Sequence, residues 1–169
     1  MVCMGTPWEE WSLPETPEAL LIIDVQVGLI ADPDIVNGAE VLRKIHSLIV
    51  KAHAQDKPVL YMQHEASDPG DLLRPGHDEW NLHPDIAPMP CDIVLRKHSS
   101  DSFLHTDLDA ILTQLGVRHI AVAGCATDYC VDTTCRSALK WTPLSRQIFI
   151  CPSVTTVPPL LGLILPPHS

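Results

Sequence analysis

The feature that most constrains the fold is a series of short apolar runs, each separated from the next by a helical pattern or a long loop. These runs occupy residues 19–24, 58–64, 92–96, 119–124 and 147–151. The first crossover between them repeats apolar residues at helical spacing, on one face made of Val41, Leu42, Ile45, Leu48, Ile49 and Ala52. This alternation predicts an α/β protein with three α/β/α layers and a doubly wound, mostly parallel sheet of five to six strands.

Two helix starts are predicted from capping-box patterns. Asn37 followed by Glu40 opens the first crossover helix, and Thr106 followed by Asp109 opens a second helix that Gly116 ends. The second helix has a predicted apolar face of Leu108, Ile111, Leu112 and Leu115.

Three chemically reactive side chains follow predicted strands. Asp24 and Lys97 each end an apolar run, and Cys130 lies after the fourth run, where the helical pattern begins. The carboxyl ends of parallel strands share one edge of a sheet, so we expect these side chains to converge there. A helix N-terminus favours thiolate over thiol, which predicts Cys130 as a nucleophile with Asp24 as proton acceptor and Lys97 as stabilising cation. The alternative is that Cys130 is a small buried apolar residue.

These residues fall within an ordered set of motifs over about residues 19–140. The set comprises Asp24-Val25-Gln26, His64-Glu65, Lys97, Ser102-Phe103, Thr106 and the stretch Gly124–Val131. It resembles the isochorismatase-like cysteine hydrolases, which include nicotinamidases, carbamoylsarcosine amidases, ureidoacrylate amidases and isochorismatases. The resemblance implies an Asp24, Lys97 and Cys130 catalytic triad and a dimer or tetramer. Such an ordered set is more specific than any single motif.

The turn before Cys130 is expected to bind the oxyanion that forms when the thiolate attacks a carbonyl. The backbone N–H groups of Ala126 and Cys130 are the candidate donors. The resemblance also implies a cis peptide between Cys125 and Ala126, which would aim these groups.

Four side chains are candidates for the substrate pocket: Gln26, His64, Trp80 and Phe103. Gln26 is equally well explained as a strand-end cap, and the other three as loop packing. Metal-binding nicotinamidases carry an Asp-x-His pair after the second strand, and residues 63–67 lack that pair. We therefore expect no metal and no other cofactor.

Composition narrows the class of partner. The chain has 169 residues and a formal net charge of -10, which argues against nucleic acid or an anionic membrane and favours a small-molecule substrate. No apolar run approaches the ~20 residues that span a bilayer, and no signal pattern is present, so the expected location is the cytoplasm. The 6 cysteines show no compact disulfide framework and are expected to be reduced.

We predict a single domain over residues 1–169, with an N-terminal arm at 1–17 and a divergent segment at 141–169. Prolines in that last segment forbid a regular closing helix. Three explanations for this segment remain open: it packs irregularly, another subunit covers the exposed sheet face, or the reading frame changed near residue 140. The leading function is cleavage of a C–N bond in a small amide, imide or ureido compound through a thioester. Vinyl-ether hydrolysis of isochorismate and a non-catalytic subunit that pairs with a paralogue remain open.

Overall fold

The computed structural model describes residues 18–33, 35, 37–125, 127–140 and 147–150. These residues form one sheet of parallel strands in the order β3-β2-β1-β4-β5. The strands are β1 (Ala19–Ile23), β2 (Val59–His64), β3 (Ile93–Lys97), β4 (His119–Gly124) and β5 (Gln147–Ile150). The predicted doubly wound parallel sheet is confirmed. The predicted arm at 1–17 and most of the segment at 141–169 lie outside the described residues.

Four α-helices connect or flank the strands: α1 (Val27–Ile30), α2 (Gly38–Ala54), α3 (Leu108–Gln114) and α4 (Asp132–Lys140). The long loop after β2 contains 3₁₀ turns at Asp78–Trp80 and Pro84–Ile86, and a π-helical turn at Thr127–Val131 precedes α4. Within the described part of the chain, every helix is too short or too polar to cross a membrane.

Apolar side chains bury both faces of the sheet. On one face, the six predicted residues of α2 are all buried and pack against alternate residues of the central strands. On the other face, α3 and α4 cover the remaining alternate residues through Leu108, Leu112, Cys135 and Ala138. This two-sided burial confirms the three-layer architecture, and the period-3.6 pattern of α2 explains why that helix packs where it does.

The predicted start of α2 at Asn37 is confirmed, although without its side-chain capping hydrogen bond, and α3 begins one residue later than predicted. Asn37 adopts a left-handed φ of 58° at the start of α2, and its side chain makes no capping hydrogen bond. At α3 the residue in the N-cap position is Asp107, although Thr106 Oγ1 still accepts the N–H of Leu108 at 3.3 Å. Leu115, expected on the apolar face of this helix, is 46% exposed.

The ends of β1 and β4 approach each other unusually closely. Ile23 and Gly124 are register partners, and Gly124 has a φ of 154°. A Cβ on Gly124 would lie 2.1 Å from the carbonyl oxygen of Ile23, so only glycine fits this position. The same carbonyl accepts the N–H of Cys125 at 2.9 Å. This contact holds the turn after β4 directly beside the residue that follows β1.

Candidate active site

Asp24 and Lys97 form a buried ion pair at the carboxyl edge of the sheet. Asp24 follows β1, and Lys97 is the last residue of β3. The distance between Asp24 Oδ2 and Lys97 Nζ is 2.7 Å, and the two side chains are 1% and 0% exposed. Lys97 Nζ also donates a hydrogen bond to the carbonyl of Ser99 at 2.9 Å. The predicted convergence of these two charges is therefore what the structure shows.

Backbone geometry aims the Asp24 carboxylate. Asp24 has a φ of 53°, a left-handed conformation that aspartate tolerates better than most residues. Its N–H still donates to the carbonyl of Met62 at 2.9 Å, so it remains tied to β2. The bend after β1 thus turns this side chain away from the strand while its backbone stays fixed.

Cys130 lies in the π-helical turn before α4 and is partly buried beside the ion pair. Burial, followed by the negative charge of Asp24, raises the pKa of its thiol to about 11, while the positive charge of Lys97 opposes the increase. Burial and the neighbouring Asp24 carboxylate thus act against the thiolate that the helix end is predicted to favour.

The Asp24 carboxylate is correspondingly a stronger base than a solvated one. Burial raises its pKa, and the charge of Lys97 and hydrogen bonds with Lys97 and Cys130 oppose that increase. A thiol and a carboxylate whose pKa values are both raised by one site form a proton donor and acceptor pair. In this arrangement the proton is held by the Cys130 sulfur, and the Asp24 carboxylate is the nearby base that can accept it.

Gln26 holds the loop after β2 against the sheet. It is 0% exposed, and its Nε2 donates to the carbonyls of His64 at 3.0 Å and Trp80 at 2.6 Å. Its Oε1 accepts the N–H of His64 at 2.9 Å. Gln26 was interpreted from sequence either as a substrate-pocket residue or as a strand-end cap, and these contacts with backbone groups fit the strand-end cap. We call this set of three hydrogen bonds the Gln26 clamp.

His64 and Trp80, whose backbone groups the Gln26 clamp binds, each have a side-chain nitrogen that makes no hydrogen bond to the described part of the chain. His64 Nδ1 and Trp80 Nε1 are buried and have no hydrogen-bond partner among the described residues. Burial, followed by the charge of Lys97, lowers the pKa of His64, which favours a neutral imidazole near pH 7. The guanidinium of Arg96 lies 4.9 Å from the centroid of the Trp80 ring.

The other predicted site residues are less closely tied to the ion pair. Phe103 is 5% exposed and packs in the core beneath α3 and α4, a position that fits the packing alternative. Cys125 is 1% exposed, and the negative charge of the nearby Asp24, after burial, raises the pKa of its thiol to about 12. Ala126, and with it the predicted cis peptide, lies outside the described residues.

Sequence reasoning missed a set of hydroxyl contacts that tie the Lys97 loop to the helix after Cys130. Thr134 Oγ1 accepts the N–H of Ser102 at 3.1 Å and lies 2.9 Å from Ser102 Oγ. Both side chains are 0% exposed. Gln63 was also missed, and its Nε2 donates to the carbonyl of Trp80 at 2.9 Å. The one signal for such contacts in the sequence is a polar residue at a position of a strand or helix that the apolar pattern predicts to be buried.

Fold and site together define an α/β protein whose carboxylate, ammonium and thiol meet at the carboxyl edge of a parallel sheet. The chain belongs to the isochorismatase family, because the model of the isochorismatase domain matches residues 18–140. A solved isochorismatase family protein is 32% identical with a TM-score of 0.71, covering 81% of this chain and 79% of that chain.

Curated relatives carry hydrolase names. The streptothricin hydrolase of Streptomyces noursei is 36% identical over 123 residues, which cover 72% of this chain and 48% of the relative. The ureidoacrylate amidohydrolase RutB of Caulobacter vibrioides is 28% identical over 172 aligned positions, covering 79% of this chain and 72% of the relative. The chain therefore spans about half the length of the streptothricin hydrolases it matches.

The N-carbamoylsarcosine amidase of Thermoplasma acidophilum shares the fold. Its TM-score is 0.73 at 24% identity, with 83% of this chain and 84% of that chain covered. At this level of identity the similarity concerns the architecture alone.

Proposed function

We propose that this chain is a cysteine hydrolase that cleaves a C–N bond of a small amide, imide or ureido compound through a thioester acyl-enzyme. The observation that carries the proposal is the buried pair of Asp24 and Lys97, 2.7 Å apart, with the Cys130 thiol beside it. Cys130 is the nucleophile, Asp24 the proton acceptor and donor, and Lys97 the cation that keeps Asp24 ionised.

The first half-reaction begins with a proton transfer. Asp24 takes the thiol proton of Cys130, and the sulfur attacks the substrate carbonyl carbon to form a C–S bond. The electron pair of the C=O bond moves onto oxygen, where the backbone N–H groups of Ala126 and Cys130 are the proposed donors. Asp24 then gives its proton to the leaving nitrogen, the C–N bond breaks, and a thioester remains on Cys130.

The second half-reaction uses water. Asp24 takes a proton from a water molecule, whose oxygen attacks the thioester carbonyl carbon. The C–S bond breaks, the acid product leaves, and the proton on Asp24 returns to sulfur. The raised pKa of Asp24 suits both halves of the cycle, because a stronger base accepts these protons more readily.

Lys97 has an electrostatic part in this cycle. Without a buried cation, burial would drive Asp24 to the neutral acid, which accepts no proton. The ammonium group lies 2.7 Å from the carboxylate and is fixed by the Ser99 carbonyl at 2.9 Å, so its charge is preorganised. It also lowers the cost of the transient thiolate on Cys130.

The proposed substrate class rests on the thiol and on the names of the relatives. Streptothricin hydrolase and ureidoacrylate amidohydrolase are both named for hydrolysis, and the second for an amide-type bond. A thiol nucleophile requires a carbonyl carbon to attack, which favours amide-type chemistry over vinyl-ether hydrolysis. His64 and Trp80 are the proposed substrate contacts, since each has a buried nitrogen without a hydrogen-bond partner among the described residues. A homo-oligomer, as a dimer or tetramer, and a cytoplasmic location belong to the same proposal.

The test is release of ammonia or amine from a panel of small amides, imides and ureido compounds. We expect turnover by the full chain and a loss of at least about 1000-fold in kcat/KM for Cys130→Ala, because no nucleophile remains. Cys3→Ala is the control, since it also removes one thiol and lies outside residues 18–140, which the family model matches.

Three results would overturn the proposal. Turnover retained in Cys130→Ala would show that another group carries the chemistry. Binding of panel compounds without any turnover by the intact chain would instead favour the non-catalytic subunit, and turnover of isochorismate alone would favour the vinyl-ether hydrolase.

A further inference from the structure

A second cluster of potential ligands lies at the opposite edge of the sheet. His53 is in the last turn of α2, and Cys91 and Asp92 directly precede β3. Lys97 ends the same strand five residues after Asp92, and at ~3.3 Å per residue this places the cluster roughly 16 Å from the ion pair. The cluster is therefore separate from the candidate active site.

The three side chains bring one ligand atom each to a common point. His53 Nε2 lies 2.8 Å from Asp92 Oδ1, and Cys91 Sγ lies 3.9 Å from the same oxygen. All three ligand atoms lie within 4.8 Å of one another. In a tetrahedral zinc site the nitrogen, oxygen and sulfur ligands are about 3.4 to 3.6 Å apart, given the usual bond lengths to zinc. Only small side-chain adjustments separate the observed positions from that geometry.

Asp92 is oriented for this task. Its side chain is only 2% exposed, and its Oδ2 accepts the N–H of Met89 at 2.8 Å. This hydrogen bond fixes the carboxylate so that Oδ1 faces His53 and Cys91, as contacts behind metal ligands commonly do. Among the described residues, its ion-pair partner is His53, which carries a full charge only when protonated. The negative charge of this nearly buried carboxylate would therefore be compensated better by a metal cation.

We propose that His53, Cys91 and Asp92 bind a zinc ion, with water as the fourth ligand. One imidazole, one thiolate and one carboxylate form a donor set of mixed softness that zinc accepts readily and that calcium and magnesium do not. Within the described residues, these are the one group of three such side chains close enough to share a metal. Binding breaks the hydrogen bond between His53 Nε2 and Asp92 Oδ1, shifts the Nε2 proton to Nδ1 through solvent, and releases the thiol proton of Cys91 to solvent, while one Zn–N, one Zn–O and one Zn–S bond form.

The site has a structural consequence. The ligands come from the end of α2 and from the residues directly before β3. Cys91 and Asp92 lie 38 and 39 residues after His53 in the sequence. β3 is an edge strand, and Val94 on it is 42% exposed. A metal that joins α2 to β3 would stabilise this partly exposed edge strand. The expectation of no metal from sequence rests on residues 63–67 at the end of β2, and none of these three ligands lies there.

The experiment is a titration of the full-length Cys130→Ala protein with Co²⁺, which replaces zinc and reports thiolate ligation by a charge-transfer band in the near ultraviolet. Removing Cys130 keeps the candidate nucleophile from contributing. We expect the band to saturate at one equivalent and to disappear when Cys91→Ser or His53→Gln is added. Cys3→Ser is the matched control and is expected to retain the band.

A second measurement guards against misfolding of the variants. Cys91 is exposed, so Cys91→Ser is expected to give an unchanged circular dichroism spectrum without metal. Added Zn²⁺ is expected to raise the Tm of the Cys130→Ala protein by several degrees and to leave the Tm unchanged when Cys91→Ser is added. Absence of the cobalt band, its persistence in Cys91→Ser, or an equal Zn²⁺ effect on both Tm values would overturn the proposal and leave an ordinary His53 to Asp92 hydrogen bond.

Discussion

Asp24 Oδ2 lies 2.7 Å from Lys97 Nζ, and neither side chain exposes more than 1% of its surface. The two charges therefore depend on each other more than a surface pair would, because neither has water as an alternative partner. This dependence reaches Cys130, whose thiol pKa is raised by Asp24 and lowered by Lys97. Stability and reactivity are thus linked through the same two residues.

Lys97→Met is expected to lower the free energy of unfolding by about 3 to 5 kcal/mol at neutral pH, because it leaves the Asp24 charge buried and unpaired. The raised pKa of Asp24 then rises further, since the opposing charge is gone. A folded-state pKa above the unfolded value means that stability is recovered at low pH and lost as pH rises through the folded pKa. Urea unfolding from acid to neutral pH measures this. The double variant Asp24→Asn with Lys97→Met is the control, and it should regain most of the loss; no regain would contradict the pairing argument.

Alkylation of Cys130 by iodoacetamide is expected to be slow at neutral pH in the absence of substrate and to accelerate toward pH 11, because the thiolate is the reacting species. Peptide mass spectrometry after timed labelling measures the rate at each cysteine. Lys97→Met should shift the rise in Cys130 labelling to still higher pH. Rapid labelling that does not change between pH 6 and about 8 would instead indicate a preformed thiolate.

Gln26→Ala removes three hydrogen bonds, two to the backbone of His64 at the end of β2 and one to the carbonyl of Trp80, and we expect it to cost about 2 to 4 kcal/mol of unfolding free energy. Amide hydrogen exchange should increase first at His64, which loses its acceptor. Gln55→Ala, at an exposed position at the end of α2, is the control and should stay within about 0.5 kcal/mol of the parent. Similar costs for the two changes would argue against the clamp.

Gly124→Ala is expected to prevent folding or to cost several kcal/mol, because its Cβ would collide with the Ile23 carbonyl oxygen at 2.1 Å. Gly70→Ala is matched in chemistry, and its Cβ would meet no atom within 4 Å. Thermal unfolding of the two variants provides the comparison. A Gly124→Ala protein as stable as Gly70→Ala would show that β1 and β4 are not this close in solution.

The fold was predictable to the extent that its signals are local. The buried face of α2 and the bounds of β4 follow from periodicity within one segment, and the structure has both where the sequence predicted them. The helix start at Asn37 was predicted as well, whereas its left-handed φ of 58° was not, because residue type alone does not fix the backbone conformation at a cap. Local preference is weaker than tertiary constraints.

For the candidate site, the meeting of Asp24, Lys97 and Cys130 was predictable because strand ends of a parallel sheet share one edge. The direction of the Cys130 pKa shift was not, since burial and distance to Asp24 are properties of the packed site. Thr134 and Gln63 belong to no motif, and their contacts depend on residues far away in sequence. The catalytic roles themselves stay predictions.

The strand order also predicts an order of events during synthesis. β1, β2 and β3 are neighbours in both chain and sheet, so we expect them to pair first and to bring Asp24 and Lys97 together early. β4 adds to the other edge of β1, about a hundred residues after it in the chain, and Cys130 follows β4. We therefore expect a nascent chain to hold its two buried charges together before the thiol reaches them.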